Sequence, residues 1–305
     1  MKRNSRRGSL GKYKAIGGWI FVAPALFYFA LFSFYPLINA FYTSTLQKDI
    51  LSLQPSKFIG LENYVYLFRS EDFWKSIEAT AVFTLGCFIP LATVSLLLAV
   101  FIYSRSKRFQ NFLQMAYFLP AILSTAAAAV VWLLVFDPRG LANQWVNFIA
   151  NTPGIDHKWL ALSHMVRFST IIIYFWKYIG YFTIIYFAGL SNIPRTYYEA
   201  AKVDGAGSWT QFWSITLPLV KPTIVLVSII AMIQCMRTFS TQYLFTQSGA
   251  ATEPINVITL NIYRTAMRDR YIGRASAMSI ILFFAILIFS WFQLKVSRTE
   301  KISYI

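Results

Sequence analysis

Two polar stripes interrupt apolar stretches of this chain, and they hold the residue types with the most chemistry to offer. Tyr174, Lys177, Tyr178 and Tyr181 follow i, i+3, i+4, i+7 spacing and so share one helix face. Gln234, Arg237, Thr238 and Thr241 repeat that spacing. Lys177 lies about ten residues into its apolar segment, roughly 15 Å along a helix. Arg237 lies in the middle to outer half of its own. Ionisable groups so placed are expensive in lipid and are functional candidates by default. Tyrosine rings stack on sugar faces and their hydroxyls donate hydrogen bonds, while Gln and Thr bond hydroxyls. Two cations without a nearby intramembrane acid also suit an anionic or carboxylated ligand. The bland alternative stays open: Lys177 snorkels, Arg237 bonds a backbone carbonyl, and the tyrosines form an interfacial belt.

The elements that must position these stripes are membrane helices. Of 305 residues, 57% are hydrophobic and 13% charged, against roughly 25% charged in a soluble domain. Six apolar segments, at about 17–43, 77–103, 113–136, 168–190, 222–246 and 276–296, are each long enough to span a bilayer, which takes about 20 residues. The first is too long and aromatic for a cleaved signal segment and is read as a retained helix. The net charge of +16 sits in short basic clusters beside apolar runs, which argues for the positive-inside rule and against nucleic-acid binding. Lys2, Arg3, Arg6, Arg7, Lys12 and Lys14 precede the first span, so both termini (1–16 and 297–305) and the 191–221 loop are expected on the cytoplasmic side. Cys87 and Cys235 lie in different apolar runs, with no metal or disulfide spacing. Pro24, Pro36, Pro90 and Pro120 bend or end spans. Ala126 to Ala129 form a small-residue packing face.

The 191–221 loop is a polar island. Pro194 suits a first helical turn, and Thr196 with Glu199 has capping-box spacing, so a short helix is expected over Tyr197 to Val203. Gly205 ends it, and Ser208 caps a second helix from Trp209 to about Leu217, with Pro218 and Pro222 at the entry to the fifth span. Trp209, Phe212 and Trp213 would serve a lipid-anchored hairpin. The small tip Glu199-Ala200-Ala201 would equally serve a knob for a partner's groove.

The run Ile193-Pro194-Arg195-Thr196-Tyr197-Tyr198-Glu199-Ala200-Ala201-Lys202-Val203-Asp204-Gly205-Ala206, followed by Phe212, Ile215, Leu217, Pro218 and Pro222, resembles the EAA loop of binding-protein-dependent ABC importer permeases of the MalF-like, carbohydrate-uptake type. Tyr35-Pro36, Phe58-Ile59-Gly60-Leu61-Glu62-Asn63-Tyr64 and Ala188-Gly189-Leu190 extend the resemblance over nearly the whole chain. Thr246-Gln247-Ser248-Gly249-Ala250 departs from the "TGGP" run of many relatives, which faces the binding protein.

The resemblance implies an all-α integral membrane protein with six transmembrane helices and the MetI-like type I ABC importer permease fold. In it, Glu199, Ala200, Ala201, Asp204 and Gly205 contact an ATPase, and the spans bearing the two stripes contribute the sugar site. It implies a second, MalG-like permease, two cytoplasmic ABC ATPase subunits, an extracytoplasmic solute-binding protein, and a bacterial or archaeal plasma membrane. The chain itself carries no G-x-x-x-x-G-K-[S/T] phosphate loop, so it is expected to bind no cofactor, with ATP and Mg used by the partner ATPase. The cargo expected is a sugar or oligosaccharide, or an anionic substrate such as glycerol phosphate or a uronate glycan. An intramembrane enzyme would need clustered acids, His or Cys. His157 and His164 are loop residues, and the acids are scattered. A secondary transporter would favour internal repeats and intramembrane acids, and Glu78 lies only near a span end.

Overall fold

The computed structural model describes residues 18–49 and 55–298. The basic segment 1–16 lies outside the described residues, as does 299–305. The chain divides into two compact units, one built from the residues up to Leu67 with Thr265–Ile281, the other from Phe68–Arg264 with Leu282 onward.

In the first unit, α1 (18–29) passes through a π turn, Ala30–Phe34, into α2 (Tyr35–Ser44). Together they form the span Gly18–Ser44. The wide turn has a cause in Pro36. Proline offers no amide to the carbonyl four residues back and its ring crowds that carbonyl, so the helix widens and Tyr35 N–H bonds Ala30 O instead. A two-stranded antiparallel ribbon follows, β1 (Leu46–Gln47) with β2 (Lys57–Phe58), and then α3 (Glu62–Arg69). Asn63 is buried and its amide donates to Ser44 O (2.8 Å) and Leu46 O (3.0 Å), while Tyr64 OH meets Ser44 Oγ at 2.8 Å. The Asn-Tyr pair after Gly60 therefore ties the ribbon to the end of the first span.

The second unit is built on α4 (Glu71–Tyr103), α5 (Lys107–Ile122), α6 (Thr125–Val135), α7 (Leu141–Ala150) and α8 (Ser163–Ser191). It continues with α9 (Arg195–Val203), α10 (Ser208–Gln211), α11 (Leu217–Met236) and α12 (Ser240–Gln247). Two more helices, α13 (Ile258–Met267) and α14 (Ile272–Arg298), complete the described chain. Ser70 caps α4 by accepting from Phe73 N–H, and Glu71 and Asp72 in the first turn complement the helix dipole. The core lies where α4, α8 and α11 meet, around Phe83, Cys87, Leu91, Phe182, Tyr186, Val227 and Cys235. Polar side chains stitch the apolar contact: Tyr186 OH donates to Ala92 O (3.0 Å) and Ser95 Oγ to Ile179 O (3.3 Å).

Among the described residues, five helices are long and apolar enough to cross a membrane, or six if one bent pair is counted as a span. That pair corrects the third apolar segment. The expected continuous helix at 113–136 is α5 and α6, bent by 96°. Pro120 sits in the last turn of α5, and Ser124 then starts α6 by accepting from Ala127 N–H. The small face is only half used, since Ala128 and Ala129 are buried and Ala126 and Ala127 exposed.

The fifth segment also differs from expectation. It begins earlier, because α10 runs through a second π turn, Phe212–Thr216, straight into α11. Here again the π turn ends two residues before a proline, Pro218, and Leu217 N–H bonds Phe212 O. Pro218 and Pro222 thus lie within a running helix and do not mark its entry. The segment then breaks at Arg237–Phe239 before α12.

Candidate functional site

The breaks in the third and fifth segments meet. Thr125 opens α6, Arg237 closes α11, and Ser240 opens α12. With Tyr174 and Tyr178 from α8 and Ile233, Gln234, Thr238, Phe239 and Thr241, they line a cavity of about 280 Å³. Side chains from four helices, α6, α8, α11 and α12, and from the turn between the last two converge here because both segments are interrupted beside it.

Tyr174 is buried and packs edge-on against Phe83 (5.3 Å) and beside Tyr178 (4.5 Å). Thr238 Oγ1 donates to Gln242 Oε1 at 3.0 Å, and Thr259 Oγ1 donates to Thr238 O, the carbonyl exposed by the helix break. Phe239 stacks on Tyr243 (5.3 Å) and tilts onto Tyr263 (5.2 Å), which holds the turn. Gln234 Oε1 is buried with no hydrogen-bond partner among the described residues, a site for a donor such as a ligand hydroxyl. Arg237 is exposed, and no carboxylate is among the lining residues.

Six of the eight stripe residues therefore share the cavity: Tyr174, Tyr178, Gln234, Arg237, Thr238 and Thr241. Lys177 and Tyr181 do not line it. Lys177 is 4% exposed and its ammonium donates to Leu123 O at the bend between α5 and α6. Tyr181 packs edge-on against Phe182 (5.1 Å), two turns from Tyr174 and past the end of the cavity. Gln234 to Thr241 are gathered by a break in the helix, not by one continuous face. Thr125, Ile233, Phe239 and Ser240 escaped the stripe reading. The signal for Thr125 was present, since Ser124 follows Pro120 as a cap follows a stop.

The loop between α8 and α11 forms a second site. Its first helix begins at Arg195, with Pro194 at the cap and no side-chain cap bond. Thr196 lies inside α9, so the expected capping box with Glu199 is not made. Nor does Ser208 cap, since Gly207 holds that position. Gly205 ends the first helix with φ +77°, and Ala206 N–H bonds Ala201 O at 2.8 Å. Gln211 Nε2 donates to Ala206 O (2.7 Å), and Tyr198 OH meets Thr216 Oγ1 (3.0 Å), fixing the two arms. Glu199, Ala200, Asp204 and Gly205 are exposed and Ala201 half-buried. Val203 (88%) and Trp209 (73%) leave apolar surface beside that tip.

Residues 92–301 match the family described as "Binding-protein-dependent transport system inner membrane component". The chain belongs to this family. The permease is 31% identical over 290 residues to the arabinooligosaccharides transport system permease protein AraP of Bacillus subtilis (strain 168), covering 94% of this chain and 90% of that one. It is 29% identical over 298 residues to the lactose transport system permease protein LacF of Rhizobium radiobacter, covering 97% and 98%. Its fold matches a chain in the crystal structure of a bacterial ABC transporter involved in the import of the acidic polysaccharide alginate, with TM-score 0.81, 24% identity, and coverage of 96% and 99%. The permease is accordingly the inner membrane component of a binding-protein-dependent transport system.

At one end of the permease's second unit, ion pairs fasten the segment after α12. Arg167 bonds Glu78 (2.9 Å) and Pro254 O (3.1 Å), and Lys75 pairs with Glu253 at 2.6 Å. The Lys75 ammonium holds the exposed Glu253 carboxyl below the usual carboxylate range.

Proposed function

We propose that the permease forms part of the translocation path for a sugar or oligosaccharide, delivered by an extracytoplasmic solute-binding protein and moved at the expense of ATP hydrolysed by another subunit. The cavity between the two helix breaks carries this reading. Its tyrosine rings, hydroxyls and unpaired Gln234 oxygen suit a polyhydroxylated ligand, and its size suits one or two sugar units at a time. The names of the lactose and arabinooligosaccharide relatives point to the same cargo class.

Energy enters through the α9 knob. Glu199, Ala200, Ala201, Asp204 and Gly205 dock on one of two cytoplasmic ABC ATPases, which places that loop and both termini in the cytoplasm. A second, MalG-like permease completes the path. ATP and Mg act in the ATPase; closure of its dimer moves the docked knobs, and the helix bundle exchanges its open side.

One observation favours a second cargo. Arg237 faces the cavity without a carboxylate beside it, and α6 and α12 both begin there, with the positive ends of their dipoles at the wall. A carboxylated, phosphorylated or sulfated sugar matches that charge.

The test is copurification of a tagged permease with a second permease and an ATPase, then uptake of a panel of neutral and acidic oligosaccharides by the reconstituted complex. Uptake that is ATP-dependent and confined to carbohydrates is expected. Assembly without an ATPase, or transport of amino acids or metal ions alone, would overturn the reading.

A further inference from the structure

The burial of Lys177 has a specific consequence at the bend of the third span. In an unbroken helix Leu123 O would accept from Ala127 N–H. That amide is instead taken by Ser124 Oγ (3.1 Å), which starts α6. Leu123 O is left without a helical partner, and in a membrane protein such a group must be satisfied from within the fold. The Lys177 ammonium supplies the missing donor. It also lies 5.4 Å from the Tyr178 ring centroid, and it brings a positive charge to the carbonyl end of α5. On either side of this contact, Thr125 and Tyr178 line the cavity.

We propose that Lys177 is a positioning residue for the substrate cavity: by holding the orphaned Leu123 carbonyl, it fixes the bend that sets Thr125 and Tyr178 on the cavity wall. The proposal rests on the cavity reading above, but its core is the geometry of the bend. Lys177 does not touch cargo. It acts through the break, so cargo with or without a negative charge depends on it alike.

The experiment places a reporter at Thr125→Cys in the transporter assembled in its own membrane. A small water-soluble methanethiosulfonate reagent labels it, and labelling is normalised to permease amount. Cys87 and Cys235 are buried, and the parent chain measures their background. Lys177→Met is expected to change the labelling rate by about tenfold, the size of one charge-assisted hydrogen bond lost, and to abolish protection by transported sugar. Lys177→Arg, which still donates, is expected to keep both. Lys177→Leu, which also lacks a donor, is read in parallel, so loss of the Met variant from the membrane leaves the comparison intact. Unchanged labelling in Lys177→Met, or in Lys177→Leu where the Met variant is lost, overturns the proposal, as does failure of Lys177→Arg to preserve it. Absence of sugar protection in the Thr125→Cys chain with Lys177 intact would instead count against the cavity as substrate path, and the labelling rates would still decide the role of Lys177.

Discussion

Replacing Gly180 by alanine should destabilise the permease more than any other single methyl added to its helices. A Cβ built at Gly180 lies 1.9 Å from Tyr117 O, 2.3 Å from Tyr117 C and 2.9 Å from Phe118 N. All three are backbone atoms of α5, so no rotamer change relieves the overlap. Ordinary contact begins at 3.4 Å, so α8 and α5 must separate by about 1.5 Å. Overpacking of this kind costs about 1–3 kcal/mol. The separation would also pull Lys177, one turn away, from Leu123 O, and losing that part-buried, charge-assisted hydrogen bond costs about 1–3 kcal/mol more. Gly86→Ala is the matched control. Its Cβ meets the Ile171 Cδ1 methyl at 2.6 Å, the far end of a flexible side chain that can turn aside. Thermal unfolding of the two variants in detergent, with uptake measured in membranes, tests the ranking. Gly180→Ala should unfold well below Gly86→Ala and lose transport. Equal midpoints would mean that α5 and α8 do not approach at Gly180 as closely as described.

Glu199→Lys should abolish ATPase recruitment while leaving the permease in the membrane, because the Glu199 side chain is exposed; pull-down of the ATPase is the readout, and intact recruitment refutes the docking role. Gly205→Ala should weaken the same recruitment through strain alone, about 1–2 kcal/mol, since φ is +77° and open space surrounds the position. Arg237→Met should reduce uptake of acidic sugars while sparing neutral ones, and equal losses for both would remove the case for an anionic cargo. Acidification should loosen the segment around Glu253. Its carboxyl is held low by Lys75, so the ion pair's contribution is complete above the usual carboxylate range and is lost as pH falls through the lowered value. Limited proteolysis against pH would show this, and Glu253→Gln should flatten the acid response.

The helical class, the spans and the knob at Glu199 were legible because each depends on local residue types: long apolar runs, a run of small residues, a glycine at a helix end. The Tyr174 and Gln234 stripes were legible for the same reason, as i, i+3, i+4, i+7 periods. What periodicity could not express was interruption. Arg237, Thr238 and Thr241 fit a continuous helix in their spacing, yet the helix stops at Arg237, and the distant Thr259 satisfies the freed Thr238 carbonyl while the Thr238 hydroxyl donates to Gln242 Oε1. A pattern that assumes one axis counted Lys177 among the lining residues because it shares a face with Tyr174 and Tyr178. The bend at Leu123 gave that face a second client, a carbonyl with no amide, and a buried ammonium is drawn to the partner whose desolvation is costliest to leave unpaired. The two π turns make the converse point. Pro36 read as a bend or an end and Pro218 as the entry to a span, yet each lies in a helix that runs on because a wider turn two residues earlier absorbs the missing amide. Proline marks where a helix must change its hydrogen bonding; whether it widens or breaks depends on what lies within reach of the freed carbonyl. At Leu123 a cap and a lysine were in reach, and the break became a wall of the cavity.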